Sequence, residues 1–244
     1  MDRRSFFKTI MTTSMLTPFL LASKSHKNDL ELFLISDEPQ SFLPEIINEL
    51  EMLRKTGTWT FAFLDTHPQM SSLKNSLEVY GWKHVNNPST ANITLSFSLL
   101  HHAARPSFTL VENGRIFDIR NQKLRSLWEK INRSGMKSTS LTTAALNKKN
   151  IPGYAGEKVS IYRSGKRTAV LSLTEDTQKT FSAPLGKITV AVKDGKARVI
   201  DSCCQGKICL YSPPVWRRGE RIICAPNQFF LAIEGGHGVD TVIG

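Results

Sequence analysis

Cysteine is absent from the first 202 residues of this 244-residue sequence, and all four cysteines fall between Cys203 and Cys224. Thiol chemistry needs a thiolate, so it has no place in that long amino-terminal stretch. Also missing are a glycine-rich phosphate loop, any block of five like charges, and any predominantly apolar run of the ~20 residues that a spanning helix requires. These absences remove the usual sequence marks of a nucleotide-hydrolysing enzyme, a dedicated nucleic-acid binder and an integral membrane protein. What remains is ordinary for a globular chain, with 40% hydrophobic and 22% charged residues. The length suits one large domain or two small ones, and two are expected. The net charge of +11 is diffuse: residues 26–154 carry 15 basic and 12 acidic side chains, and residues 155–244 carry 13 and 8. Such an excess reads as solvated surface rather than a basic stripe.

The first 25 residues form a separate unit. Arg3, Arg4 and Lys8 precede an uncharged run from Thr9 to Ser23 that is too short, and too rich in Thr and Ser, for a stable anchor. The opening D-R-R-S-F-F-K resembles the twin-arginine export consensus, carried by Arg3, Arg4, Phe6, Phe7 and Lys8. The resemblance implies export to the periplasm, with cleavage after Ala22 or Ser25, or membrane tethering if the signal stays uncleaved.

From residue 28 to 134 the hydrophobic period alternates between strand and helix. Leu30–Ile35, Trp59–Leu64 and Ile93–Leu100 read as strands. Between them, Phe42, Leu43, Ile46, Ile47, Leu50 and Leu53 recur at helical spacing up to Gly57, and Ser71–Tyr80 reads as a second helix. Pro106 introduces SFTLV, Asn113-Gly114 marks a hairpin, Arg115–Ile119 returns, and Leu124, Leu127, Trp128 and Ile131 stripe a last helix. This is an α/β pattern, with a parallel or mixed sheet under helices. The stretch R-P-S-F-T-L-V-E-N-G-R-I followed by an amphipathic helix resembles a thioredoxin-like fold, which would put Pro106 at that family's cis-proline position. No C-x-x-C is present; the loop after the first strand reads S-D-E-P-Q-S-F, so recognition is expected of this domain rather than redox work. Asp37 and Glu38 are adjacent acids in a turn and are expected to be solvated, while His101 and His102, neighbours on a strand, point to opposite faces.

Residues 135–156, rich in Ser, Thr, Gly and Lys, read as the linker. Beyond it, short strands alternate with turns: Val159–Tyr162, Thr168–Leu173, Ile188–Val192, Lys196–Ile200, Arg221–Cys224 and Phe229–Ile233. The pattern describes a small antiparallel barrel or sandwich over residues 157–244, making the whole chain α+β with two domains. The stretch V-K-D-G-K-A-R-V-I-D-S-C-C-Q-G-K-I-C through W-R-R-G-E-R-I-I-C-A-P-N-Q-F-F-L-A-I-E-G resembles domain II of the NusG family. The resemblance implies that the family's cysteines fall on Cys204, Cys209 and Cys224, with Asp194, Gly195, Trp216, Gly219, Pro226 and Asn227 as framework. Cys203 is an addition, and Tyr211 stands where relatives often carry histidine.

An even cysteine count in an oxidising compartment favours structural disulfides, Cys204 with Cys209 and Cys203 with Cys224, or one pairing exchanged. A soft metal or cluster, or a redox-active thiol, remains an alternative; C-x4-C is looser than the usual zinc spacing, so no metal site is assigned and the cofactor is left open. With no catalytic constellation in view, the sequence reads as a non-enzymatic accessory or docking protein of a periplasmic or envelope complex. Its expected partners are the twin-arginine translocase and an envelope protein. The first alternative is thiol-disulfide or metal handling by the four cysteines. The second is nucleic-acid binding through Lys207, Arg217, Arg218 and Arg221, which export and the lack of interleaved aromatics argue against.

Overall fold

The computed structural model describes residues 30–50, 59–112, 114–117, 119, 122–133, 136–146 and 155–235. The export motif and the helix stop at Gly57 lie outside the described residues. Among these residues no helix is long and apolar enough to cross a membrane.

A seven-stranded mixed sheet organises the amino-terminal part. Its strands are β1 (Leu30–Ile35), β2 (Thr60–Phe63), β3 (Lys83–His84), β4 (Ile93–Ala104), β5 (Ser107–Glu112), β6 (Arg115–Ile116) and β7 (Ser138–Leu146), in the order β3-β2-β4-β7-β1-β5-β6. Three helices, α1 (Pro39–Glu49), α2 (Met70–Val79) and α3 (Gln122–Asn132), accompany the sheet. Alternate strand residues Leu32, Leu34, Leu95 and Leu110 bury against Leu43, Ile46, Leu73 and Ile131 from the helices. Each such side chain taken from water contributes about 1.5 to 3 kcal/mol, which holds the helices to this face.

The other face follows from the register. Ser96, Thr143, Phe33 and Thr109 align across β4, β7, β1 and β5, and Ser98, Leu141, Ile35 and Ser107 form the next row. This face is smaller and more polar than the helix face, and the carboxy-terminal part packs against it through Ile208 and Tyr211, which join Ile35, Leu100, Ala104 and Leu141.

Three sequence expectations change here. Ser138–Leu146 was expected to be linker, yet it is β7, antiparallel to both β4 and β1 in the middle of the sheet. Its Ser, Thr and Ala side chains look like loop composition, but small and β-branched residues also suit a central strand paired along both edges. A simple β1-helix-β2 unit would also set those strands side by side; instead β7 and β4 separate them, so the thioredoxin-like order is not the one seen. The peptide bond before Pro106 is trans, as is every other among the described residues. Pro106 is buried and its carbonyl accepts from the Asn132 side chain at 3.3 Å.

The carboxy-terminal part is antiparallel throughout. One sheet runs β13 (Arg221–Cys224), β14 (Phe229–Glu234), β8 (Lys158–Arg163), β9 (Lys166–Ser172); the other runs β10 (Thr177–Ala183), β11 (Gly186–Lys193), β12 (Lys196–Ser202). Val159, Ile161 and Leu231 from the first share one core with Ile188, Val190 and Val199 from the second. A single-turn helix, α4 (Ile208–Tyr211), links β12 to the loop that leads into β13.

Candidate metal centre

Three of the four cysteines converge. Cys204 lies just past the end of β12, Cys209 sits on α4, and Cys224 closes β13. Between the first two, Lys207 takes a left-handed conformation (φ 53°) that reverses the chain and points α4 back over the strand. The three side chains are buried, and their sulfurs all lie within 4.8 Å of one another. Cys203 is turned away from them: it is exposed, and its sulfur accepts from the Lys187 amide at 3.4 Å.

The expected disulfides are not formed. Cys204 and Cys209 sulfurs stand 3.8 Å apart, against a covalent length of about 2.05 Å, and all four cysteines are free. The even count misled because Cys203 and Cys224 face different environments. A separation of 3.8 Å has its own meaning: thiolates about 2.3 Å from one ion at the corners of a tetrahedron stand about 3.8 Å apart.

The surroundings suit a shared negative charge. Hydrogen bonds from Cys209 and then Cys224 hold the Cys204 thiol far below its usual range, while Cys209 and Cys224 are pushed up as the partners that keep their protons. Asn227, wholly buried, donates its amide N–H to the Cys224 sulfur at 3.3 Å. Its carbonyl oxygen accepts from the Leu185 amide at 3.0 Å, which fixes the orientation of the side chain. The Ser202 hydroxyl accepts from the Cys204 amide at 3.4 Å, and Lys207 Nζ donates to the Ser202 carbonyl. Sulfur-directed donors of this kind orient and tune metal-binding thiolates.

A cavity of about 70 Å³ adjoins the thiols. Its remaining wall comes from the amino-terminal sheet: Phe33 and Ile35 of β1, Ser107 and Thr109 of β5, and Leu141 of β7. Arg221, at the start of β13, crosses the same seam to pair with Glu31 of β1 at 3.0 Å. The thiol site is thus built by one part of the chain and roofed by the other.

The other sequence candidates are accounted for locally. Asp37 accepts from the Thr139 and Ser140 amides at 2.9 and 2.8 Å, tying the β1 exit to β7, and Glu38 is exposed. His101 and His102 are exposed, His102 resting edge-on against Tyr211. Among the basic residues, Arg221 is paired with Glu31, Arg217 is exposed and lies over the Trp216 ring, and Lys207 donates to the Ser202 carbonyl.

One constellation had no sequence signal: His67 Nε2 lies 3.1 Å from the Ser140 hydroxyl, with Asp37 nearby. It is not wired as a nucleophile and base. His67 Nδ1 accepts from the Gln69 amide at 3.0 Å, so in the neutral ring Nε2 carries the hydrogen and donates to Ser140. A base must accept that proton instead.

A two-sheet β-domain carrying a buried trio of thiols is the class of structure that this geometry defines. Residues 137–237 match a family model described as NusG domain II, a match that takes in β7 as well as the two antiparallel sheets. An uncharacterised protein of Treponema pallidum is 33% identical over 86 residues, 35% of this chain; the chain spans 58% of that relative's length. Among solved structures, a DUF1312 family protein from Ruminococcus gnavus is 26% identical, with 97% of it and 32% of this chain covered at a TM-score of 0.29. The Lin0431 protein of Listeria innocua is 18% identical, with 97% of it and 33% of this chain covered at a TM-score of 0.31.

Proposed function

We propose that this chain is an exported accessory protein of the cell envelope that binds one thiophilic metal ion through Cys204, Cys209 and Cys224. The observation that carries the proposal is the set of three buried sulfurs within 4.8 Å, one pair of them 3.8 Å apart as thiolates sharing an ion stand, with an oriented N–H donor behind the third, at Cys224. Soft thiolates select Cu(I), Zn(II) or Cd(II) over hard cations, and no imidazole or carboxylate joins the cluster among the described residues. The twin-arginine-like opening supports export of a chain folded before transport. Docking to an envelope partner belongs to the same proposal.

Reduced protein titrated with Cd(II) under argon is expected to develop sulfur-to-metal charge-transfer absorption that saturates at one ion per chain. The Cys204→Ser, Cys209→Ser and Cys224→Ser variants are expected to lose it, and Cys203→Ser to keep it. Absorption that survives in the three variants, or never appears in the parent, sinks the metal reading. A redox reading has one observation in its favour, the 3.8 Å gap between Cys204 and Cys209, which a small shift would close. Intact mass before and after reduction separates the two, since a disulfide removes two hydrogens and no metal.

A further inference from the structure

The thiol cavity does not stand alone. It shares Phe33, Leu141, Ser212 and Arg221 with a larger cleft of about 550 Å³, within the size range of sites that take small ligands and peptide segments. One wall of the cleft is the polar face of β4 and β7, and the other is the loop from Pro213 to Arg217, with Trp216 on it. On the strand wall, the hydroxyls of Ser96, Ser98 and Thr143 find no partner among the described residues. Ser96 and Ser98 are two residues apart on β4, so their side chains repeat at about 6.8 Å, the repeat of like-pointing carbonyls in an extended peptide.

The charged wall residues balance in sign, Asp65 and Glu220 against Arg217 and Arg221, and Asp65 is exposed. Glu220 accepts from the Trp216 and Arg217 amides at 2.8 and 2.9 Å, Arg221 pairs with Glu31, and Arg217 lies over the Trp216 ring. Such a cleft suits an occupant that offers hydrogen bonds and apolar side chains rather than net charge. The thiols line the smaller cavity that adjoins the cleft, and three thiolates round one ion leave the fourth tetrahedral position to a ligand from outside, the arrangement of metal sites that exchange what they bind.

We infer that the cleft seats an extended, cysteine-bearing peptide segment of a partner protein, whose thiolate completes the coordination at the three-thiol centre. The inference rests on the metal reading above. The partner thiol releases its proton to solvent and gives a sulfur lone pair to the ion; one sulfur-metal bond forms, and no atom changes oxidation state. Because neutral hydroxyls face the peptide, the segment is held by its backbone, and Trp216 and Pro213 supply the apolar contact opposite.

The test uses the full chain loaded with one equivalent of Cd(II) and titrated with the peptide acetyl-Gly-Cys-Gly-amide, with X-ray absorption counting the sulfurs round cadmium. The count is expected to rise from three to four, the serine version of the peptide to leave it at three, and the amide signals of Ser96, Ser98 and Thr143 to shift. Ser96→Trp, which fills the cleft, is expected to weaken the peptide by about tenfold or more. A count that stays at three, shifts confined to other residues, or equal affinity in Ser96→Trp overturns the inference. Protein that takes up no Cd(II) before any peptide is added overturns the metal reading itself.

Discussion

Glu31 and Arg221 meet at 3.0 Å across the seam between the two parts of the chain, Glu31 with 4% of its side chain exposed and Arg221 with 20%. Glu31 points from the polar face of the first sheet, and Arg221 starts the strand that ends at Cys224. Removing one partner leaves a buried charge alone, which typically costs about 3 to 5 kcal/mol. Arg221→Met and Glu31→Gln are each expected to lower stability by about that much in urea unfolding, and the double variant by clearly less than the sum. Additive losses would mean the pair does not couple the two parts.

Asn227 spends both ends of its side chain, one on the Cys224 sulfur and one on the Leu185 amide. Asn227→Leu keeps the branched shape and heavy-atom count and loses both bonds, leaving a part-buried amide without its acceptor, at about 1 to 3 kcal/mol. Cd(II) affinity in that variant is expected to fall about 10- to 100-fold, as it does when a donor behind a metal ligand is lost. Competition against a chelator of known affinity measures it; unchanged affinity would make Asn227 a purely structural residue.

Exposure divides the four thiols. Cys203 is exposed and the other three are buried. Native reduced protein treated with an aromatic disulfide reagent is expected to show one fast thiol and three slow ones, the fast one absent in Cys203→Ser. Denaturation is expected to release all four together.

His67 has a pKa lowered by burial, partly offset by the charge of Asp37. The folded value lies below the unfolded one, so protonation favours the unfolded chain. The contribution is fully present above the unfolded value of about 6.5, and is lost as the pH falls from there through the folded value. An NMR titration of the imidazole is expected to give a midpoint below 6.5, and His67→Phe, which keeps a ring against Phe97, to flatten the acid side of the stability profile.

The strands with alternating or continuous apolar residues were legible in the sequence: Leu30–Ile35 and Arg221–Cys224 fall at the expected residues, and most others within one or two. The two longer strands that escaped have a physical excuse. β7 is built largely of Ser, Thr and Ala, with one face buried under the helices and the other lining a cleft, and β10, TQKTFSA, edges its sheet with half its residues in water, so neither carries an apolar period. The thiol trio could be nominated from Cys204, Cys209 and Cys224, but not assembled. Its closure depends on β13 ending beside the exit of β12, a long-range fact with no local signal. Asn227 was visible only as framework, since its bond to sulfur exists only after folding.

β7 carries one more consequence. Among the described strands it alone joins β4 to β1, so no described strand before residue 138 pairs the β3-β2-β4 half of the first sheet with the β1-β5-β6 half. A nascent chain that has emerged only as far as α3 holds two half-sheets with open inner edges, and a fragment cut there would carry the same two edges into aggregation. The last of the first sheet's seven strands to be synthesised is the one at its centre in space, so completion of that sheet, and of the roof over the thiols, waits on the segment made after all its other strands.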